Sequence, residues 1–138
     1  DQQLVSIINS SKNTLDIAIY SLTKENIVDT IINAKKRGVN VRLITDRIES
    51  KSKSEKKQLE KLKAAGIPIK INQHKGLMHM KVSIVDKNIV TTGSYNYTMN
   101  ATKENDEVFV VIRDSSQAQQ YESEFDRMWN DTKDFSSL

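Results

Sequence analysis

The chain has 138 residues, 37% hydrophobic and 28% charged, a balance that describes one folded globular domain rather than a disordered or membrane-spanning chain. No apolar run approaches the length that crosses a bilayer. The absence of cysteine excludes disulfides, thiolate nucleophiles and cysteine-based zinc sites, while a net charge of +3 favours polyanions only mildly, and a dimer doubles it to +6. The chain opens on DQQLV without an initiator methionine, so the expectation is a processed or trimmed product. An exported or membrane-anchored parent, its targeting segment lost, fits that expectation.

Leu4, Val5, Ile7 and Ile8 cluster ahead of NSSKN and predict a first helix and a turn. Thr14 to Tyr20 is rich in apolar and β-branched residues and reads as a buried strand. Thr23 is the expected N-cap of the next helix, whose apolar stripe is Ile27, Val28, Ile31, Ile32 and Ala34. KKRG ends it, with basic residues in the last turn and Gly38 as the cap. VNVRLIT is the second strand. A polar loop follows, then a helix from about Ser54 to Ala65 with Leu59 and Leu62 inward, then the short strand IPIKI. Strand alternating with helix argues for parallel pairing.

The second half changes character. MKVSIVD, IVTTG and EVFVVI are three strands in close succession, the first two joined by a turn at Asp86, Lys87 and Asn88, so antiparallel or mixed pairing is expected. Ser115 to Asn130 closes the chain as a helix with Tyr121, Phe125, Met128 and Trp129 inward. With no internal repeat, long linker or low-complexity tract, residues 1–138 read as a single mixed α/β domain.

One of only two histidines, His79, precedes Lys81 by two residues, and on a strand these two positions share a face. Four readings of His79 compete. It is a buried histidine bonded to backbone, a metal ligand with His74, the base for a Ser94 nucleophile, or itself a centre of phosphoryl chemistry. Gly76 breaks any helical pairing of the histidines, no HExxH is present, and GSYN lacks the G-x-S-x-G elbow. Phosphoryl transfer needs fixed cations and donors around phosphorus. Lys81 offers the charge, and Ser94 and Asn96 offer hydroxyl and amide donors beside Gly93. An imidazole nucleophile also needs its second nitrogen held by an acceptor; Glu104, Asp106 and Glu107 are the acids downstream.

HMKVSIVDKNIVTTGSYN resembles the phospholipase D superfamily signature H-x-K-x4-D-x6-G-S-x-N, with His79, Lys81, Asp86, Gly93, Ser94 and Asn96 at every fixed position. IAIYSLTKENI, AKKRGVNVRLITD, TTGSYNYTMNA and FDRMWN resemble segments of the small single-motif Nuc-type endonucleases, in the same order. The resemblance implies an α-β-α sandwich, a mixed sheet with helices on both faces. It implies a metal-independent phosphodiesterase without cofactor, in which two motifs meet at a twofold axis. One histidine attacks phosphorus and the other protonates the leaving oxygen. Because this chain holds one motif, a homodimer with the site at its interface is implied. The residues carried over are His79, Lys81, Ser94 and Asn96 at the phosphate, with Glu107 orienting the histidine. Asp86, at a strand end, suits a structural turn.

Tyr95 and Tyr97 flank Asn96, where base stacking competes with core packing. Lys51, Lys53, Lys56, Lys57, Lys61 and Lys63 alternate with Glu55 and Glu60, the pattern of a solvated helix face rather than a nucleic-acid track. His74, Lys75 and Arg47 fall in loops open to a passing substrate, and nothing local distinguishes them. The expected substrate is DNA, or RNA, cut without sequence preference, and no stable membrane contact is expected. The alternatives are a lipid phosphodiesterase acting on phospholipids such as cardiolipin, and an inactive phosphate-binding module.

Overall fold

The computed structural model describes residues 2–94, 96–98 and 106–138. Its centre is β1 (Thr14–Ile19), whose apolar side chains are buried on both faces of the sheet. β1 pairs in parallel with β2 (Asn40–Thr45), which pairs in parallel with β3 (Ile69–Asn72). The parallel half follows from its crossovers, α2 (Glu25–Lys36) and α3 (Lys53–Ala64). On its other side β1 pairs antiparallel with β4 (Lys81–Val85), followed by β5 (Ile89–Gly93) and β6 (Phe109–Arg113), each antiparallel to the last. Phe135–Ser137 forms β7, antiparallel to β3, so the order is β6-β5-β4-β1-β2-β3-β7. The chain therefore closes on an edge strand, not on the C-terminal helix as expected.

Helices cover both faces. α1 (Gln2–Asn9), α2 and α3 pack with Leu15, Ile17, Leu43 and Ile69 in the larger core. α4 (Ser115–Asn130) lays Ala118, Phe125 and Met128 against Ala18, Ile44, Val82 and Val90 on the opposite face. The alternation of Ile17 and Ala18 between the two cores is the period of two made visible. Asp114 caps α4 by accepting from the Ser116 and Gln117 amides, and the Ser116 hydroxyl first, then these amides, hold its carboxyl below the usual range. Beneath α4, Arg42 forks onto Asp16 at 2.7 and 3.0 Å and reaches Glu122 and Asp126.

Two caps differ from expectation. The N-cap of α2 is Lys24, not Thr23, because the Thr23 and Lys24 amides are both taken by the Tyr97 carbonyl. At the other end of α2, Arg37 is the C-cap and Gly38 follows it at φ +96°, the left-handed conformation that ends helices. The β4–β5 turn puts Asp86 and Lys87 at φ 53° and 58°, a primed turn that suits hairpin twist.

Candidate functional site

The antiparallel half of the sheet brings one end of several strands together. The carboxyl ends of β1, β2 and β5 lie beside the amino ends of β4 and β6. Tyr20, Asp46, Lys81, Ser94 and Glu107 all sit at that end. His79 lies two residues ahead of β4 rather than on it, in an extended approach whose next residue, Met80, accepts from the Tyr20 amide. Side chains of His79 and Lys81 nevertheless meet: Lys81 Nζ is 2.7 Å from Nδ1 and 3.1 Å from Nε2 of the ring. The same ammonium donates to the His79 carbonyl at 2.9 Å.

The approach to His79 is pinned from below. Asp46, fully buried, accepts from the Met78 amide with one oxygen and from the Ile48 and Glu49 amides with the other. Asn72 accepts from the Arg47 amide and donates to the Gly76 carbonyl. The Tyr20 ring packs on the imidazole with centroids 4.6 Å apart. His79 is exposed, so the reading of a buried histidine bonded to backbone does not hold. Lys81 is largely buried; burial pulls its pKa down, and Glu107 pulls it back in part.

Gly93 stands at φ +134°, and a Cβ there would come within 2.1 Å of the Val108 carbonyl oxygen. That closeness lets the Ser94 amide bond the same carbonyl at 3.1 Å. Ser94 Oγ donates to Glu107 and accepts from the Val108 amide, so Ser94 and Glu107 form a pair at the rim. Glu107, expected to orient the imidazole, is engaged by Ser94 instead, and no hydrogen bond links it to His79 among the described residues. The side-chain oxygen of Asn96 is buried without a partner there. An unpaired buried acceptor carries a cost in stability, and a phosphate oxygen, itself an acceptor, would be met by the amide nitrogen of this side chain rather than by its oxygen.

Other expectations divide. Asp86 accepts from the amides of Lys12, Asn13 and Thr14, which is a turn-fixing role. Tyr97 is core: 1% exposed, its hydroxyl bonded to Ser83. Tyr95 and Glu104 lie outside the described residues. Lys61 pairs with Glu25 and Asp29, but Glu55 is fully buried and does not belong to the solvated face assigned to it. His74 turns away, edge-on to Phe135. Among the described residues no three His, Cys, Asp or Glu side chains gather as a metal site. No helix among them is long and apolar enough to cross a membrane.

An α-β-α sandwich with a histidine, a buried lysine, a serine and an asparagine gathered at one sheet end is the architecture of a phosphodiester-handling domain. The chain belongs to the phospholipase D-like family: residues 4–129 match the family model described as cardiolipin synthase, PLD-like domain. This is a superfamily of phosphodiester hydrolases. The chain is 37% identical over 114 residues to a phospholipase D of Rickettsia conorii, and 27% over 128 residues to a mitochondrial cardiolipin hydrolase of Chlamydomonas reinhardtii. Those alignments cover 83% and 93% of this chain but 56% of each relative, so the chain spans about half the length of these curated relatives. The crystal structure of Nuc from Salmonella typhimurium, a phospholipase D family member, superposes with a TM-score of 0.93 at 29% identity. It covers 99% of this chain and 89% of that one.

Proposed function

We propose that the chain is a metal-independent, non-specific endonuclease that hydrolyses DNA, or RNA, through a phosphohistidine at a site shared by two subunits. The observation that carries this reading is the contact of an exposed imidazole with a buried ammonium at the mouth of the sheet. A phosphodiester entering there draws Lys81 onto its non-bridging oxygens and frees a ring nitrogen of His79. That nitrogen attacks phosphorus, and the P–N bond forms as the P–O bond to the leaving group breaks. His79 of the partner subunit protonates the leaving oxygen. It then takes a proton from water, whose oxygen attacks phosphorus and breaks the P–N bond, restoring both imidazoles. Ser94 and Asn96 supply hydrogen bonds to the phosphate, and Glu107 acts on the site through Ser94.

The near-complete overlap with Nuc, at 89% of that chain, supports a nuclease over a lipid enzyme, since the lipid-named relatives are matched over only 56% of their length. The family model's description and those relatives support the second reading, a phospholipid hydrolase acting on cardiolipin. The test is incubation in excess EDTA with plasmid, single-stranded DNA, RNA and cardiolipin vesicles. Cleavage of nucleic acid alone is the expected result. Cleavage confined to the vesicles establishes the second reading, and cleavage of nothing without added metal overturns both.

A further inference from the structure

Glu55 occupies the third position of α3, where a serine N-cap and a glutamate make a capping box. Ser52 does its half, accepting from the Glu55 amide at 3.3 Å. Glu55 does not reciprocate: the Ser52 amide goes to the Glu49 carbonyl instead. The glutamate side chain turns inward, where it is fully buried among Leu22 and Thr45. A carboxyl group in that position costs stability that a leucine would not, so its retention calls for a reason.

Its partners supply one. One oxygen accepts from the Leu22 amide at 2.5 Å, and the other lies 3.1 Å from Thr45 Oγ1, which in turn is 3.4 Å from the Tyr20 carbonyl. Residues 20–22 form a short spine under the site. At one end Tyr20 bonds Met80 through its amide and packs its ring at a tilt against His79. At the other, Leu22 bridges Tyr97, whose amide bonds the Ser21 carbonyl, and Asn96 is the adjoining residue. One side chain therefore grips the backbone that sets both His79 and Asn96.

We propose that Glu55 is a positioning residue for the phosphate site, holding the Tyr20–Leu22 spine so that His79 and Asn96 keep their mutual register. This inference rests on the phosphodiesterase reading above. The single hydroxyl hydrogen of Thr45 makes the grip depend on proton state. With Glu55 ionised, Thr45 donates to the carboxylate and the Tyr20 carbonyl loses that donor. With Glu55 protonated, the acid donates to Thr45 and Thr45 donates to Tyr20, completing the chain. Burial raises this carboxyl to about 7 against the lowering effect of the Leu22 and Thr45 hydrogen bonds, with smaller raising effects from Glu49 in the turn after β2 and Asp46 at its end. The Tyr20 phenol faces the same acids, and its own pKa is raised by burial and by them.

Glu55→Gln reproduces the protonated pattern, its amide oxygen accepting from Leu22 and its nitrogen donating to Thr45. With His74→Gln as background, the only histidine signal is that of His79, so ring carbon shifts can be followed by NMR between pH 5 and 9. The expected result is a two-step titration curve with Glu55 and a single step with Glu55→Gln. On bis(4-nitrophenyl) phosphate, Glu55→Gln should match the parent kcat at pH 5.5 and exceed it about threefold at pH 8.5. Glu55→Ala should lower kcat at least about tenfold with KM little changed. Superimposable His79 titrations in the Glu and Gln proteins overturn the proposal, as does an unaltered pH profile of kcat. If the parent cleaves no phosphodiester, the functional reading fails while the NMR comparison still decides the role of Glu55.

Discussion

Lys81 Nζ lies within hydrogen-bond distance of both ring nitrogens of His79, at 2.7 and 3.1 Å, and the Tyr20 ring packs beside both, its centroid 4.6 Å from that of the imidazole and 5.4 Å from the ammonium. On the proposed reading, the ammonium is the charge that meets a phosphate oxygen. Lys81→Met should therefore lower kcat by about 100- to 1,000-fold, the range for losing one preorganised charge at a developing anion. Because burial depresses the lysine's pKa, wild-type activity should fall at a pH below that of an ordinary lysine, near 10.4. Lys81→Arg, always charged, should lose that alkaline limb. Steady-state kinetics between pH 6 and 10 checks both.

Asp86 belongs to the signature but serves the scaffold. Its carboxylate takes the amides of Lys12, Asn13 and Thr14, tying the α1–β1 turn to the β4–β5 hairpin. Asp86→Ala should destabilise the fold by about 2–3 kcal/mol, through three lost acceptor contacts and a β-carbon left in a positive-φ turn. Denaturant melts would report it. Turnover per folded molecule should stay within about twofold of wild type.

The strands were legible where β-branched runs are long, as in TLDIAI and NVRLIT, and α4 where Tyr121, Phe125 and Met128 keep helical spacing. His79, Lys81 and Ser94 were legible through their fixed spacing. β7 was not, since FSS carries no pattern and pairs only because the chain returns past β3. Nor was the α2 cap, decided by the distant Tyr97 carbonyl. Glu55 looked like one more charge on a lysine-rich helix; only the inward turn of its side chain onto Leu22 reveals otherwise. Glu107 shows the same limit, since nearness in sequence could not say that Ser94 would claim it.

Stability should fall as pH rises from about 4 to about 8. Glu122 is buried on the inner face of α4, and burial first, then its bond to Asp16, lifts its carboxyl to about 8. Unfolded, a glutamate titrates near 4.3. The folded state thus holds the proton over the interval between these values, and stability is lost as pH rises through it. Glu55, raised to about 7, acts in the same direction. Glu122→Gln keeps an acceptor for Arg42 but cannot ionise. Its Tm should equal wild type near pH 4 and exceed it by several degrees at pH 8. Equal melting temperatures at both pH values would show that Glu122 does not hold a proton in the fold.

His79 itself carries the decisive prediction. If it attacks phosphorus, it becomes covalently phosphorylated during turnover, and a quench that avoids acid should trap the adduct for mass spectrometry, since phosphoramidates survive base and not acid. His79→Ala should abolish detectable cleavage, while Lys81, Ser94 and Asn96 still bind substrate and the fold, which the exposed imidazole does not support, stays intact. Light scattering at micromolar concentration should report a dimer for both proteins. Mixing His79→Ala with Lys81→Ala subunits should not restore a normal site, because each mixed dimer sets one broken motif against another while the reaction uses both histidines and both lysines. Phosphate found on any other residue, or cleavage by the His79→Ala dimer, would remove His79 from the nucleophile's role. A fully active monomer would remove the shared site.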